Sequence, residues 1–422
     1  MRFEVLKRSN LKRNIVIGLL VVGIISAIIL NFTKAKYKNT ESIPLVNGTI
    51  NYSLADLNIV AITIDGKEVD TIPDGNYELT SESYCTVNGE KEESVKLSYD
   101  SATKGLSVTP MTSKGTKCYL DFNKKSTLKD TILANNSVNS GTPNFANTAT
   151  TDEGVYKTQD DWGDSYYFRG AVENNYVKFA GYYWRIIRIN GDGSVRLIYQ
   201  GTSPSYGELA QIDAYNNVAE AYTTSVGVGF TYTLDAQRPN EEKEEKDSTV
   251  KEILDNWYVT NISERGLDDK ITSIPGFCND RDIANKDSWS LDDKAFYYNA
   301  WERLQTQKIP ILKCNNDRDL YKVKIGLITA DEVSMAGGVW NTENSSYYLH
   351  IGNSFWTMTP CRFTLSSTYK LSLVFYLGSD GSLNNNGVNA SRGIRPVINL
   401  ASDVTLSGTG TASDPYIVEG AE

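Results

Sequence analysis

Apolar and polar positions divide the chain into regions of different periodicity. From Asn14 to Thr33 no residue is charged, and Ile15 to Leu30 is almost wholly apolar. A helix over that stretch, rising about 1.5 Å per residue, covers roughly the 30 Å of a bilayer's hydrocarbon, so residues 14–33 read as one membrane span. Residues 34–54 are polar and read as a stalk. The pattern then changes to period two. Val60, Ile62 and Ile64 alternate before the Asp65-Gly66 turn, Val69 lies on the return, and the pairs Tyr77 and Leu79, Val95 and Leu97, Leu106 and Val108, Leu120 and Phe122 continue it. This predicts an all-β module over residues 55–124. A short helix is expected from Thr127 to Leu133. Asn135 to Thr151 carries few apolar side chains to offset the entropy of ordering, which places an interdomain linker at 125–152.

A second domain is expected over 153–419. The turn Asn190-Gly191-Asp192-Gly193 joins the strand signal ending at Ile189 to Val195-Arg196-Leu197-Ile198-Tyr199, a hairpin pattern. In the first of these strands Trp184, Ile186 and Arg188 would face one side and Arg185, Ile187 and Ile189 the other, so both faces read as sheet packing. Three helices follow: a capping box of Thr249 with Glu252, carrying Val250, Ile253, Leu254 and Trp257 on one stripe; a start at Ser290 with Asp293, carrying Phe296, Ala300 and Leu304; and Thr329 with Glu332, ending at Gly337-Gly338. The chain returns to β signals with Leu371 to Leu377, the turn at Gly378 to Gly381, the step Asn386-Gly387 and a last apolar strand from Gly393 to Leu400, read as sharing one sheet. Strands, helices and strands again suit an α+β domain whose first and last strands meet.

Trp356, Thr359, Pro360, Gly393, Arg395 and Pro396, with Ile325 to Val333 and the tail Asp414-Pro415-Tyr416, carry a resemblance covering most of Asp152 to Glu419. The region resembles C-type-lectin-like domains of the formylglycine-generating-enzyme and variable-protein type, common in bacterial surface proteins. Tyr84-Cys85-Thr86 and the segment Gly115 to Phe122 resemble small immunoglobulin-like spacer modules. Beyond the membrane helix read from residues 14–33, the resemblance implies a small immunoglobulin-like β module and an α+β C-type-lectin-like head. It implies no ligand, because a fold does not set a function.

Composition narrows the chemistry. A net charge of −10 and the absence of a basic face beyond the N-terminus exclude a nucleic-acid partner. Arg2, Lys7, Arg8, Lys12 and Arg13 form a basic tail over 1–13, against Lys34, Lys36 and Lys38 beyond the span, which orients the N-terminus to the cytoplasm and the remainder outside a cell membrane. A cleaved signal peptide shares the basic start, although the apolar core is long for one and Asn31 to Lys36 offers no small-x-small cleavage site. Cys85, Cys118, Cys278, Cys314 and Cys361 all follow the span. Pairing Cys85 with Cys118 and Cys278 with Cys314 is the expected arrangement, leaving Cys361 free, while spacing alone leaves connectivity open.

With one histidine, His350, the chain lacks His-pair zinc and iron motifs. Asn190 to Gly193 and Ser379-Asp380-Gly381 offer oxygens without completing an EF-hand spacing, so calcium is left without a motif and no cofactor is expected. A thiol enzyme would pair Cys361 with His350, yet Arg362 next to the cysteine points away from it on an extended strand. The expected function is non-catalytic recognition of a protein or glycan through Trp356, Tyr369, Asn384, Asn385, Asn386 and Asn389, a set rich in Tyr and Asn contacts. A ligand-free structural component of the envelope and an exported thiol enzyme are the alternatives.

Overall fold

The computed structural model describes residues 57–73, 77–100, 104–109, 115–215, 229–232, 245–284, 294–365 and 370–421. The basic tail, the expected span at 14–33 and the stalk lie outside them, and among the described residues no helix is long and apolar enough to cross a membrane. Of the described residues strands account for 43% and helices for 14%, so this part of the protein is mostly β. It divides between Lys125 and Ser126 into two compact units.

In the first unit, β1 (Leu57–Ile64), β2 (Tyr84–Val87) and β3 (Thr116–Lys124) form the middle of a sheet, with β3 parallel to β1 on one side and antiparallel to β2 on the other. Alternation along β3 buries Cys118, Leu120 and Phe122 and turns Tyr119 outward, where it stacks on Tyr84 at 4.9 Å. Cys85 stands directly opposite Cys118 and is bonded to it, with Cα atoms 4.0 Å apart. The bridge therefore ties neighbouring strands of one sheet, whereas an immunoglobulin-like module carries its bridge between two sheets.

The second unit opens with α1 (Leu128–Ala134), closed at its start by a capping box between Thr127 and Asp130. The segment expected as a linker packs onto this unit instead. Phe145 lies against Tyr167, the Asn147 carbonyl accepts from Arg169 at 3.0 Å, and the Ala149 N–H donates to Gly337. A few apolar side chains, Leu128, Ile132 and Phe145, anchor it, and the remaining contacts run through backbone groups and a buried arginine, so its polar composition gives little apolar signal.

An antiparallel group follows: β4 (Asp152–Asp160), β5 (Gly163–Gly170), β6 (Tyr176–Phe179), β7 (Tyr182–Ile189) and β8 (Val195–Gly201). Next come β9 (Gln211–Ala214), α2 (Thr249–Tyr258), β10 (Lys294–Tyr297), β11 (Ile325–Gly326) and α3 (Ala330–Ala336). The chain ends with β12 (Phe355–Leu365), β13 (Lys370–Leu377), β14 (Leu383–Gly387), β15 (Ser391–Ile394), β16 (Val397–Leu400) and β17 (Tyr416–Val418).

One large sheet runs β11, β16, β8, β7, β5, β4, with β6 on β7. β17 lies beside β6, Val177 opposite Tyr416, so the unit's early and final strands do meet. A second sheet runs β9, β15, β12, β13, β14, with β10 on β12.

Three local expectations shift. Ser248, rather than Thr249, caps α2, its hydroxyl accepting the Lys251 N–H, because Ser248 already has extended backbone and the helix starts after it. Phe296 lies in β10 opposite Phe363, and helix begins only at Asn299; its spacing to Ala300 and Leu304 fits a helix, but cross-strand packing decides. Ser290 and Asp293 lie outside the described residues.

The final apolar stretch is not one strand. β15 stays in the second sheet, while β16 crosses to the large sheet between β8 and β11. The crossing is made at Arg395-Pro396. Arg395 is fully buried and donates to the carbonyls of Tyr199 at 2.9 Å and Leu349 at 3.0 Å and to Gln200 Oε1 at 3.2 Å, beneath the Phe355 ring. Burial, reinforced by the charge of Arg185, pulls its pKa down to about 9. The Gly-Ile-Arg-Pro segment thus joins the two sheets.

Candidate functional site

Titratable side chains gather at a cavity of about 30 Å³, enough for one or two waters. Its wall is an ion-pair network. Glu332 Oε1 accepts from Arg188 Nε at 2.9 Å and Arg196 Nη1 at 2.8 Å, and Glu332 Oε2 accepts the Thr329 N–H at 2.9 Å. Asp160 accepts from Arg188 Nη1 at 2.6 Å, while Arg303 joins Asp331 and Asp280. Burial pushes the Glu332 carboxyl up, but Arg196, Arg188 and the Thr329 N–H together hold it down at about 2.

Each of the four carboxylates is paired with a guanidinium, and among the described residues no trio of ligating side chains could hold a metal ion. The network is framework: it pins β7, β8 and α3 in one register. The Cys278–Cys314 disulfide, paired as expected, stands at the rim of the same cavity, and the Cys314 N–H donates to Asp161.

Cys361 and His350 are each engaged elsewhere. The His350 ring pairs with the Ser379 carbonyl at 2.8 Å. Cys361 is fully buried, and burial pushes its thiol well above the ordinary value, outweighing the Arg362 charge and a hydrogen bond with the Asn385 side chain. A nucleophilic cysteine needs the opposite shift. A thiol probe applied to the folded, unreduced chain should therefore leave Cys361 unlabelled by peptide mass spectrometry, and label it only after unfolding; modification in the folded state would contradict this burial.

The residues expected to contact a ligand separate in space. Trp356 is fully buried, with Tyr215 and Tyr376 edge-on against it and its Nε1 donating to the Asp213 carbonyl. It is core rather than a contact residue, because β12 is an inner strand with neighbours on both sides. Tyr369 lies outside the described residues. Asn389 is exposed beyond the end of β14, and Asn384, Asn385 and Asn386 lie half-buried within that strand rather than in a loop.

The second sheet brings a row of side chains to one face. Tyr376 on β13 stands opposite Asn384 on β14 and Trp356 on β12, and Arg392 on β15 stands opposite Asp213 on β9. The Arg392 guanidinium lies 4.6 Å from the centre of the Tyr376 ring. Tyr376 and Arg392 are half-exposed above the buried Trp356. Neither was expected. The period-two pattern gave Tyr376 a face, but only the pairing of β13 with β14 sets it beside Asn384.

The asparagine run also handles the sheet's edge. Leu383 turns its N–H and carbonyl away from β13, to Val339 and Asn341, and alternation turns those of Asn385 and Gly387 the same way. Those two outward N–H groups are taken by side chains: Asn384 Oδ1 accepts from Asn385 N at 2.9 Å and Asn386 Oδ1 from Gly387 N at 2.8 Å. The open edge is thereby blunted against pairing with another strand. Both side-chain oxygens are thus engaged with the chain's own backbone, and of the two asparagines Asn384 is the one opposite Tyr376.

No protein-family profile, curated protein or solved structure matches this chain.

Proposed function

We propose that the second unit is a non-catalytic recognition head, held outside the cell by the apolar segment at 14–33, and that it binds a protein or glycan through the face formed by Tyr376, Arg392, Asn384 and Asn386. The observation that carries this reading is the pair of asparagines whose side-chain oxygens are spent on the edge of β14, with Asn384 opposite a half-exposed tyrosine. An aromatic ring beside neutral side-chain amides suits sugar hydroxyls or a peptide backbone, and a ring with few rotatable bonds asks for little ordering entropy on binding. The burial of Cys361 speaks against a thiol enzyme.

A C-type-lectin-like head remains our reading of the fold. It is supported by β6 meeting β17, and by Arg395 of the Gly-Ile-Arg-Pro segment sitting where the two sheets exchange strands. The first unit is read as a spacer.

The test is a glycan and protein array probed with the full chain, with and without calcium, beside Tyr376→Ala and Asn384→Ala variants. Each variant should bind at least about tenfold more weakly, as truncation of a central contact does, while its circular dichroism spectrum at the assay temperature stays that of the folded parent. Binding untouched by both variants would overturn the assignment of this face. No ligand at all, together with an altered envelope on deletion of the gene, would favour a ligand-free structural role.

A further inference from the structure

The contact that blunts the edge of β14 also prepares a reaction. Asn386 Oδ1 accepts the Gly387 N–H at 2.8 Å, which brings the Gly387 nitrogen up to the Asn386 side-chain carbonyl, with Cγ one bond behind that oxygen. This nitrogen faces away from β13, so the sheet's ladder does not hold it. Its contact partner is the group it would attack, and the following residue carries no side chain to obstruct approach. Asn386 is half-exposed, which admits water to the site.

We propose that Asn386-Gly387 is a self-modification site, where the folded chain converts the asparagine through a cyclic imide. A solvent base removes the Gly387 amide proton and the nitrogen attacks Asn386 Cγ to form the new C–N bond; the protonated base then returns a proton to Nδ2, the Cγ–Nδ2 bond breaks and ammonia leaves. Water then opens the five-membered imide at one carbonyl or the other, giving aspartate or its β-linked isomer. The hydrogen bond keeps the nitrogen beside the side-chain amide before any reaction begins, and such proximity is the advantage of an intramolecular attack. The product places a new carboxylate on the outer edge of the sheet beside Asn384. Its β-linked form adds a backbone carbon to β14 and breaks the register of Asn384 with Tyr376. The recognition face would thus change charge and shape with the age of the protein.

The chain holds its own controls. At Asn190-Gly191 the glycine N–H is taken by the Asp160 carboxylate at 2.9 Å and the Asn190 amide donates to Ser194 and Asn399, so attack is blocked although the dipeptide is the same. At Asn384-Asn385 the hydrogen bond recurs at 2.9 Å, but the nucleophile's own residue carries a side chain.

The experiment is incubation of the full chain at mildly alkaline pH, folded and in denaturant, with peptide mass spectrometry over time. In the folded chain Asn386 should exchange its amide for a hydroxyl at least as fast as in the unfolded chain, with Asn190 protected and Asn384 slower; brief trapping with hydroxylamine should reveal the imide. Gly387→Ala should slow it, but a Cβ there would stand 2.7 Å from Asn389 Oδ1, so Asn386→Gln, which keeps the amide, serves as the second variant and should yield no product. An Asn386 that survives in the folded chain while reacting in the unfolded one would overturn the proposal.

Discussion

Replacing Glu332 by alanine is expected to destabilise the second unit by about 3–5 kcal/mol, the usual cost of leaving a buried charge without its partner. The carboxylate answers two guanidiniums from adjacent strands, Arg188 on β7 and Arg196 on β8, both almost fully buried. It also closes the capping box of α3 with Thr329, whose loss adds about 1 kcal/mol. Glu332→Gln keeps an acceptor for the Thr329 N–H but loses the charge, so it should fall between the parent and the alanine variant. Urea unfolding followed by tryptophan fluorescence measures the series; an alanine variant as stable as the parent would show that the network is dispensable.

Acid makes the same point. The Glu332 carboxyl sits at about 2 when folded, below its ordinary value of 4.5. A depressed carboxylate stabilises the fold at any pH above the ordinary value, and that stabilisation is lost as pH falls from 4.5 through about 2. The parent should therefore lose stability in that window, and Glu332→Gln, already neutral, should lose less of it.

Removing the Cys85–Cys118 bridge should unfold the first unit at temperatures the parent withstands. The bridge closes a loop of sequence separation 33, for which the chain-entropy estimate is about 3–4 kcal/mol. The module's buried core is small: Ile62, Tyr77, Leu106, Leu120 and Phe122 beside the two cysteines. A domain of this size has little stability to spare. In a Cys85→Ser, Cys118→Ser variant, hydrogen exchange at Ile62 and Leu120 should become fast, while amides around Ile186 and Leu197 in the second unit, whose own disulfide is untouched, stay protected. Unchanged protection at Leu120 would show that the sheet is held by packing alone.

How far these features were legible in the chain depends on the range of the interaction. The alternation of Leu120 with Phe122, the hairpin at Asn190 to Gly193, the capping box of Thr329 with Glu332 and the partners of the two disulfides are local patterns or few-way choices, and each is found in the structure. The linker at 125–152 packs onto the second unit through a few scattered apolar side chains, Leu128, Ile132 and Phe145, and through backbone groups of Asn147 and Ala149, which no composition reveals. The run from Gly393 to Leu400 failed because an apolar stretch states that it is buried without stating in which sheet.

The asparagines illustrate both sides. Residue type alone marked Asn384 to Asn386 as polar groups worth attention and Trp356 as a large apolar side chain. Whether each meets solvent was decided by strand order: β14 is the sheet's edge and β12 its interior. Sequence determined the period-two strands and the cap of α3 and narrowed the cysteine pairings to a few, because these depend on neighbours along the chain or on a few cysteines. Tertiary structure alone decided that Arg188 and Arg196 share Glu332, that Arg395 joins two sheets and that Tyr376 stands beside Asn384, because each relation links residues whose proximity exists only once the sheets have formed.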